Sequence, residues 1–275
     1  MVYVALLIVL LLLCAVIFYM LLPGRKRDIF LLKGPKYYAH RGLYFADQTV
    51  PENSLAAFSL AADRGYGIEL DVQLTRDGKI VVFHDDDLLR CTGAGGRIGE
   101  SLFDDLREKV HLFSSECGIP LFTDVLGLIC GKVPLIIEIK ACPEWNELCS
   151  AVLSVLREYN GLYCVESFDP RIVGWFRFHA PDIVRGQISE QYRYVFKKYG
   201  PVVRFGLSSL LVNFISRPDF IAYRLGKRSF LADLALRKVS CRVGWPLDPS
   251  VDPVQAAGFD VLIFEHMNPD ESSRK

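Results

Sequence analysis

Residues 2–22 form one apolar run, broken by tyrosines but by no charge. At about 1.5 Å of rise per residue, about 20 residues reach across the hydrocarbon core of a bilayer. A cleaved signal peptide fits less well, because no lysine or arginine precedes the run and no small-x-small site follows it. The pattern predicts a transmembrane anchor over 1–22 and a short basic linker over 23–36, where Pro23, Gly24, Gly34 and Pro35 break any helix. From residue 37 the periodicity changes. Short β-rich runs at 37–40, 68–74, 80–84, 135–140, 163–168, 183–188, 209–214, 241–245 and 261–264 alternate with helical patterns at 54–64, 144–159, 170–178, 218–225 and 253–257. Several of these helical patterns start at proline or just after Asn or Asp, as helix starts often do.

Alternation of strands and helices predicts a parallel sheet with crossover helices. With no second linker and no repeat, residues 37–270 read as one domain of a size suited to a (β/α)₈ barrel. Nine strands are one more than such a ring needs. The second and third are joined only by Thr75-Arg76-Asp77-Gly78, a tight turn, so they form a hairpin. Pairing about that turn sums to about 155, which sets Asp71 opposite His84; either one member of the pair extends beyond the ring or another of the nine runs is not a strand. Residues 86–126, with Gly93, Gly95, Gly96 and Gly99, are expected as a long irregular excursion.

Charge narrows the function. The chain has 32 basic and 32 acidic residues; five basic and one acidic lie in the first 36, which leaves residues 37–275 at a formal −4. That argues against a nucleic-acid binder. Arg25, Lys26, Arg27, Lys33 and Lys36 follow the apolar run, so the positive-inside rule predicts the amino terminus outside and the domain in the cytoplasm. Cys14 lies in the apolar run, and the other seven cysteines contain no C-x-x-C spacing; they read as free thiols.

Four segments carry candidate chemistry: Tyr38-Ala39-His40-Arg41-Gly42, Ile68-Glu69-Leu70-Asp71-Val72, Val81-Val82-Phe83-His84-Asp85 and Leu135-Ile136-Ile137-Glu138-Ile139-Lys140. Residues two apart on a strand share a face. Glu69 with Asp71, and Glu138 with Lys140, therefore place charges side by side in otherwise apolar strands. Buried charges persist only when paired or bound to a metal. In a barrel these positions fall at or near the C-terminal rim, where catalytic groups lie. Carboxylate oxygens favour Mg²⁺ or Ca²⁺. Arg41 and Lys140 suit an anionic substrate, and two histidines suit proton transfer near neutral pH. The residues alone thus point to metal-assisted chemistry on a phosphate-like substrate.

The order His40-Arg41-Gly42, Pro51-Glu52-Asn53-Ser54, Glu69-x-Asp71-Val72, Thr75-x-Asp77-Gly78, His84-Asp85, Arg90-x-Thr92-Gly93, Ile119-Pro120 and Glu138-x-Lys140 resembles the glycerophosphodiester phosphodiesterase family over about residues 37–269. The resemblance implies a TIM barrel with a small insertion after the third strand. It implies that Glu69, Asp71 and Glu138 hold one divalent cation, Mg²⁺ or Ca²⁺. It implies His40 and His84 as the acid/base pair, His40 as base and His84 as acid in the first step, with Arg41 and Lys140 near the phosphate. Ser167-Phe168 and Trp245 sit where the family has its S-F and late tryptophan motifs, so Phe168 and Trp245 are expected to line the alcohol pocket. Asn53 is expected to position the site or to cap the helix at 54–64. Two motifs depart from the family. Trp245-Pro246-Leu247-Asp248 replaces W-T-V-N, and Phe264-Glu265-His266-Met267-Asn268-Pro269 replaces a final T-D-x-P. His111 and His179 read as ordinary, and His266 as a rim contact.

The expected protein is a membrane-anchored phosphodiesterase that releases glycerol 3-phosphate and an alcohol from glycerophosphodiesters. A lysophospholipase D acting on membrane lysolipids is the nearest alternative, because a tether keeps the site near headgroups. A non-catalytic anchored binding module is the alternative of another kind, and the full set of histidines, carboxylates and cations argues against it.

Overall fold

The computed structural model describes residues 1–24, 29–195 and 199–269. Arg25, Lys26 and Arg27, on which the topology expectation largely rests, lie outside the described residues. Helix α1, Val2–Leu21, is 20 residues long, and nearly all of its side chains are exposed. Length and composition suit it to crossing a membrane.

The rest is a closed barrel. Its strands are β1 (Tyr37–Ala39), β2 (Gly67–Leu74), β4 (Leu135–Ile139), β5 (Tyr163–Ser167), β6 (Arg185–Ser189), β7 (Phe220–Arg224), β8 (Cys241–Leu247) and β9 (Val261–Phe264), all parallel to their neighbours in the ring, which closes between β1 and β2. β3 (Ile80–Val82) runs antiparallel on β2 and stands outside the ring. Helices α2 (Leu55–Asp63), α5 (Phe122–Ile129), α6 (Trp145–Arg157), α7 (Pro170–His179), α8 (Pro201–Ser208), α9 (Asn213–Ser216), α10 (Phe230–Leu236) and α11 (Pro253–Ala256) lie on the crossovers. The short helices α3 (Leu89–Thr92) and α4 (Phe103–Lys109) belong to the excursion after β3, which packs a small core of its own around Phe83, Leu88, Ile98, Phe103 and Leu106.

Strand alternation sorts the residues into two cores. Ile68, Leu70, Val72, Ile137 and Ile139 face the helices. Tyr38, Ile136, Cys164, Phe220, Cys241 and Val261 fill the lower interior of the barrel. Gly186 is needed there, since a Cβ would sit 2.2 Å from the Phe220 ring. Gly186→Ala is expected to cost about 1–3 kcal/mol through overpacking, read as a lower midpoint in denaturant; an unchanged midpoint would refute the packing argument. Beneath this layer the single helical turn Phe30–Leu32 tucks Ile29 and Leu31 against the barrel, both essentially fully buried. The packed body therefore takes in residues that the sequence pattern placed in the linker.

Several expectations are corrected. Residues 209–214 are not a strand: Leu210 has φ +60° and α9 follows. The sixth ring strand is instead 220–224, inside the segment expected as a helix. Its alternation of inward Phe220 and Ala222 with outward Ile221 and Tyr223 is that of a strand. Helices α5, α8 and α10 were not anticipated. The hairpin pairs Val72 with Val82 and Leu74 with Ile80, a sum of 154, so Asp71 lies opposite Phe83 rather than His84.

Candidate active site

The upper rim gathers the charged residues. His40 follows β1, and its backbone N–H donates to Phe264 O at 2.9 Å, which ties it to the last strand. Its Nδ1 lies 2.5 Å from Glu265 Oε2 and its Nε2 3.8 Å from Glu69 Oε2. A carboxylate on one ring nitrogen fixes the ring and turns the other towards the site. Burial alone would raise the Glu265 carboxyl, but the hydrogen bond and charge of His40, then Arg41 and His266, hold it at about 2. Tyr44 supports the pair: its hydroxyl donates to Glu265 at 3.2 Å and lies 2.7 Å from His266 Nε2.

Arg41 sits at φ +56° and Asn53 at φ +54°. The left-handed conformation is costly for an arginine, and such strain concentrates at functional rims. Here it directs the Arg41 N–H to Glu69 Oε2 at 3.1 Å, while Asn53 N donates to Arg41 O at 2.9 Å. Arg41 Nη1 donates to Glu52 at 2.7 Å and its Nε lies 3.6 Å from Asp71. Asn53 is not the cap of α2. Ser54 is, accepting from Ala57 N, and Asn53 Nδ2 donates instead to Asp71 Oδ2 at 2.9 Å.

Glu69 and Asp71 on β2 and Glu138 on β4 are buried, with one oxygen from each within 4.8 Å of the others. The parallel register places Asp71 directly beside Glu138. Lys140 Nζ bridges them, 3.1 Å from Asp71 and 2.9 Å from Glu138. Burial would raise Asp71, but Lys140, His84, Arg41 and the Asn53 hydrogen bond hold it well below the carboxylate range. Burial, and then the charges of Asp71, Glu138 and Glu166, push Glu69 far up. Burial pushes Glu138 up to about 7 in spite of Lys140. Three carboxylates, with Glu166 beside them, thus share a pocket that Lys140 and the Glu52-paired Arg41 only partly neutralise. This unmet negative charge, on oxygen donors alone, fits a divalent Mg²⁺ or Ca²⁺ and is the test by which the residues suit such an ion. Glu166 on β5, beside Glu138, adds to the same crowding.

His84 closes the rim from the hairpin. Its Nδ1 lies 2.5 Å from Asp85 Oδ1, Asp85 accepts from Arg90 Nε at 2.6 Å, and Arg90 reaches Glu52 through both Nη atoms. Burial first, then Lys140, lower His84 to about 4 against the pull of Asp71 and Asp85, so the ring is neutral at pH 7. The two histidines are therefore oriented alike, each by a carboxylate on Nδ1. Glu52 ties their sides of the rim together through Arg41 and Arg90.

Phe168 and Trp245 meet edge to face at 5.5 Å above the inner core. Arg224 lies over the Trp245 ring at 5.5 Å and its Nη1 is 3.8 Å from Glu190. All nine residues singled out from the sequence as site residues lie on the inner or rim side of the barrel. Glu265, Glu166 and Arg224 were not singled out. The replacement of T-D-x-P by Phe264-Glu265 kept an acid at the end of the last strand, and that was the available signal for Glu265. His111 and His179 have no part in the rim contacts described.

A (β/α)₈ barrel with a buried carboxylate trio and two carboxylate-held histidines at its rim has the groups for metal-assisted acid–base chemistry. The profile of the Glycerophosphoryl diester phosphodiesterase family matches residues 40–274, and the chain belongs to that family. It is similar to glycerophosphodiester phosphodiesterase of Bacillus altitudinis, 39% identical over 111 residues that make up 38% of this chain and 44% of the relative. It is also similar to the Caldanaerobacter subterraneus subsp. tengcongensis glycerophosphodiester phosphodiesterase, 36% identical over 131 residues, 44% of this chain and 52% of the relative. The matched segments span about half the length of these curated relatives. An Oleispira antarctica phosphodiesterase solved with the product sn-glycerol-3-phosphate shares the fold, with TM-score 0.69 and 21% identity over 88% of this chain and 97% of that one.

Proposed function

We propose that this protein hydrolyses glycerophosphodiesters to glycerol 3-phosphate and an alcohol. The observation that carries this reading is the convergence of Glu69, Asp71 and Glu138 with Lys140 between two histidines that are each oriented by a carboxylate. Glu69, Asp71 and Glu138 would hold the divalent cation. When bound, such an ion polarises phosphate oxygens and favours deprotonation of an attacking hydroxyl.

The chain's own residues divide the remaining work. Lys140 and Arg41 set positive charge beside the carboxylates, and Arg41, anchored on Glu52 through Nη1, offers its other edge to the phosphate. His40, with Nδ1 committed to Glu265, takes a proton at Nε2 from the attacking hydroxyl, and Glu265 stabilises the resulting imidazolium. His84 gives a proton to the leaving alcohol oxygen. Its ring is neutral in the substrate-free site, and the approach of a phosphodiester anion opposes Lys140 and favours protonation. Phe168 and Trp245 form the wall against which the alcohol packs, with Arg224 behind it.

We assign residues 1–22 as a single-pass anchor, 23–36 as the juxtamembrane connection and 37–270 as the catalytic domain, on the cytoplasmic side. The apolar, exposed α1 and the basic residues that follow it support this. The test is glycerol 3-phosphate release by the detergent-solubilised full chain from a set of glycerophosphodiesters, first with chelator and then with Mg²⁺ or Ca²⁺ restored. Release that depends on the added ion is expected. Absence of release from the folded chain with either ion would overturn the reading.

A further inference from the structure

The end of α1 is fastened to one particular side of the barrel. Asn213 Nδ2 donates to Leu21 O at 3.1 Å, and Arg217 Nη1 donates to Tyr19 O at 3.0 Å and Leu22 O at 2.8 Å. The Leu21 and Leu22 carbonyls are ones a helix end leaves open, and Tyr19 O accepts from Arg217 as well as from Leu22 N, so the barrel caps the helix. The Arg217 guanidinium also lies 4.3 Å over the Tyr19 ring, and Gly24 N donates to Pro218 O at 2.8 Å. Leu21 is buried against a cluster that includes Leu210, Ile221 and Leu236. Asn213, Arg217 and Pro218 lead into the start of β7, and Lys238, 5.5 Å from the Phe18 ring, precedes the start of β8. Every one of these contacts is at the N-terminal ends of the strands. At the other end of the connection, Ile29 and Leu31 are buried under the same face.

The catalytic residues sit at the opposite ends of the strands. A five-residue strand is about 17 Å long, and the headgroup layer adds only about 5–8 Å beyond the hydrocarbon on each side of a bilayer. Beside the exit of α1 the N-terminal face also shows exposed Phe178, Phe214 and Ile215. Arg177 joins them: it donates to the carbonyls of Phe214 and Ile215 and lies over the Phe178 ring at 4.8 Å. An apolar patch continuous with a membrane-spanning helix and edged by arginine is suited to a lipid surface.

We propose that the N-terminal face of the barrel rests on the bilayer that α1 spans, with Phe178, Phe214 and Ile215 at the lipid boundary and the catalytic mouth open to water on the far side. The site then takes water-soluble diesters and does not reach lysolipids held in its own membrane. This rests on the proposed hydrolysis and on α1 as a span. It also removes the reason for expecting a lysophospholipase D, because the anchor holds the mouth away from the headgroups.

Two measurements on the full chain in phosphatidylcholine vesicles test it. The first compares choline release from glycerophosphocholine in solution with release from long-chain lysophosphatidylcholine held in the same vesicles. The soluble diester is expected to be turned over at least about tenfold faster; rates within twofold would overturn the proposal. The second reads orientation without activity. A fluorophore on Phe178→Cys, in a chain whose exposed Cys14 and Cys130 are serines, is expected to be quenched by doxyl lipids, and one on Gly95→Cys in the excursion is not. Quenching at Gly95, at both sites or at neither overturns the proposal. Quenching at Phe178 alone, without turnover of either substrate or of any other glycerophosphodiester, would sustain the orientation and overturn the hydrolysis.

Discussion

Replacing His40 or His84 by alanine is expected to lower kcat by about 10²–10⁴, the usual contribution of a general acid or base. KM should change much less, because Lys140 and Arg41 carry most of the positive charge that holds the phosphate. Each ring has one nitrogen committed to a carboxylate, His40 to Glu265 and His84 to Asp85, so each has one nitrogen for chemistry. His40→Ala also leaves Glu265 without its main partner, and His40→Asn keeps a polar group there. Loss of turnover in both variants with an unchanged melting temperature in the asparagine form separates chemistry from folding. The double variant is expected to lose less than the product of the single losses, since the two rings act on one displacement. Near-normal turnover of either single variant would remove that histidine from the mechanism.

The part of the site that was legible in the sequence is the part that local geometry determines. Glu69 and Asp71 share a face because β2 alternates, and apolar neighbours reveal that the face is buried; Glu138 and Lys140 follow the same logic on β4. Glu265 could not be read that way. Its contact with His40 spans 225 residues and exists only because β9 closes the ring against β1. For Asn53 the sequence leaves site positioning and helix capping both open, because Asn and Ser both cap helices, and only the approach of the rim to Asp71 decides between them. The hairpin register slipped by one because Thr75 pairs with Lys79 around three residues, with Gly78 at φ +75°, rather than around two. β7 was hidden because Pro218 looks like a helix start, although the helix of this crossover begins earlier, at Pro201. The buried turn at Phe30–Leu32 had no periodicity to announce it.

Glu138→Gln is expected to abolish metal-dependent turnover, with at least a hundredfold loss at saturating Mg²⁺ or Ca²⁺, and to remove a pH dependence that the wild type shows. In the metal-free site Glu138 titrates near 7 because it is buried and faces Asp71. A cation needs the carboxylate form, so below pH 7 it must displace a proton. Through this group, apparent affinity should therefore fall by up to about tenfold for each pH unit below 7 and should not change above 7. Calorimetry in buffers of different ionisation heat would show the released proton. The same linkage appears in stability: an ion at about 100 times its Kd stabilises the folded state by about 2.7 kcal/mol. The wild-type melting temperature should rise on adding the ion at pH 7.5 and rise less at pH 5.5. The variant should show little rise at either pH, because Glu69 and Asp71 alone leave the ion short of one charged ligand and Lys140 remains to compete for Asp71. A variant that still gains stability from the ion, or a wild type whose affinity is flat between pH 5.5 and 7, would take Glu138 out of the metal site and leave its crowding with Asp71 to Lys140 alone.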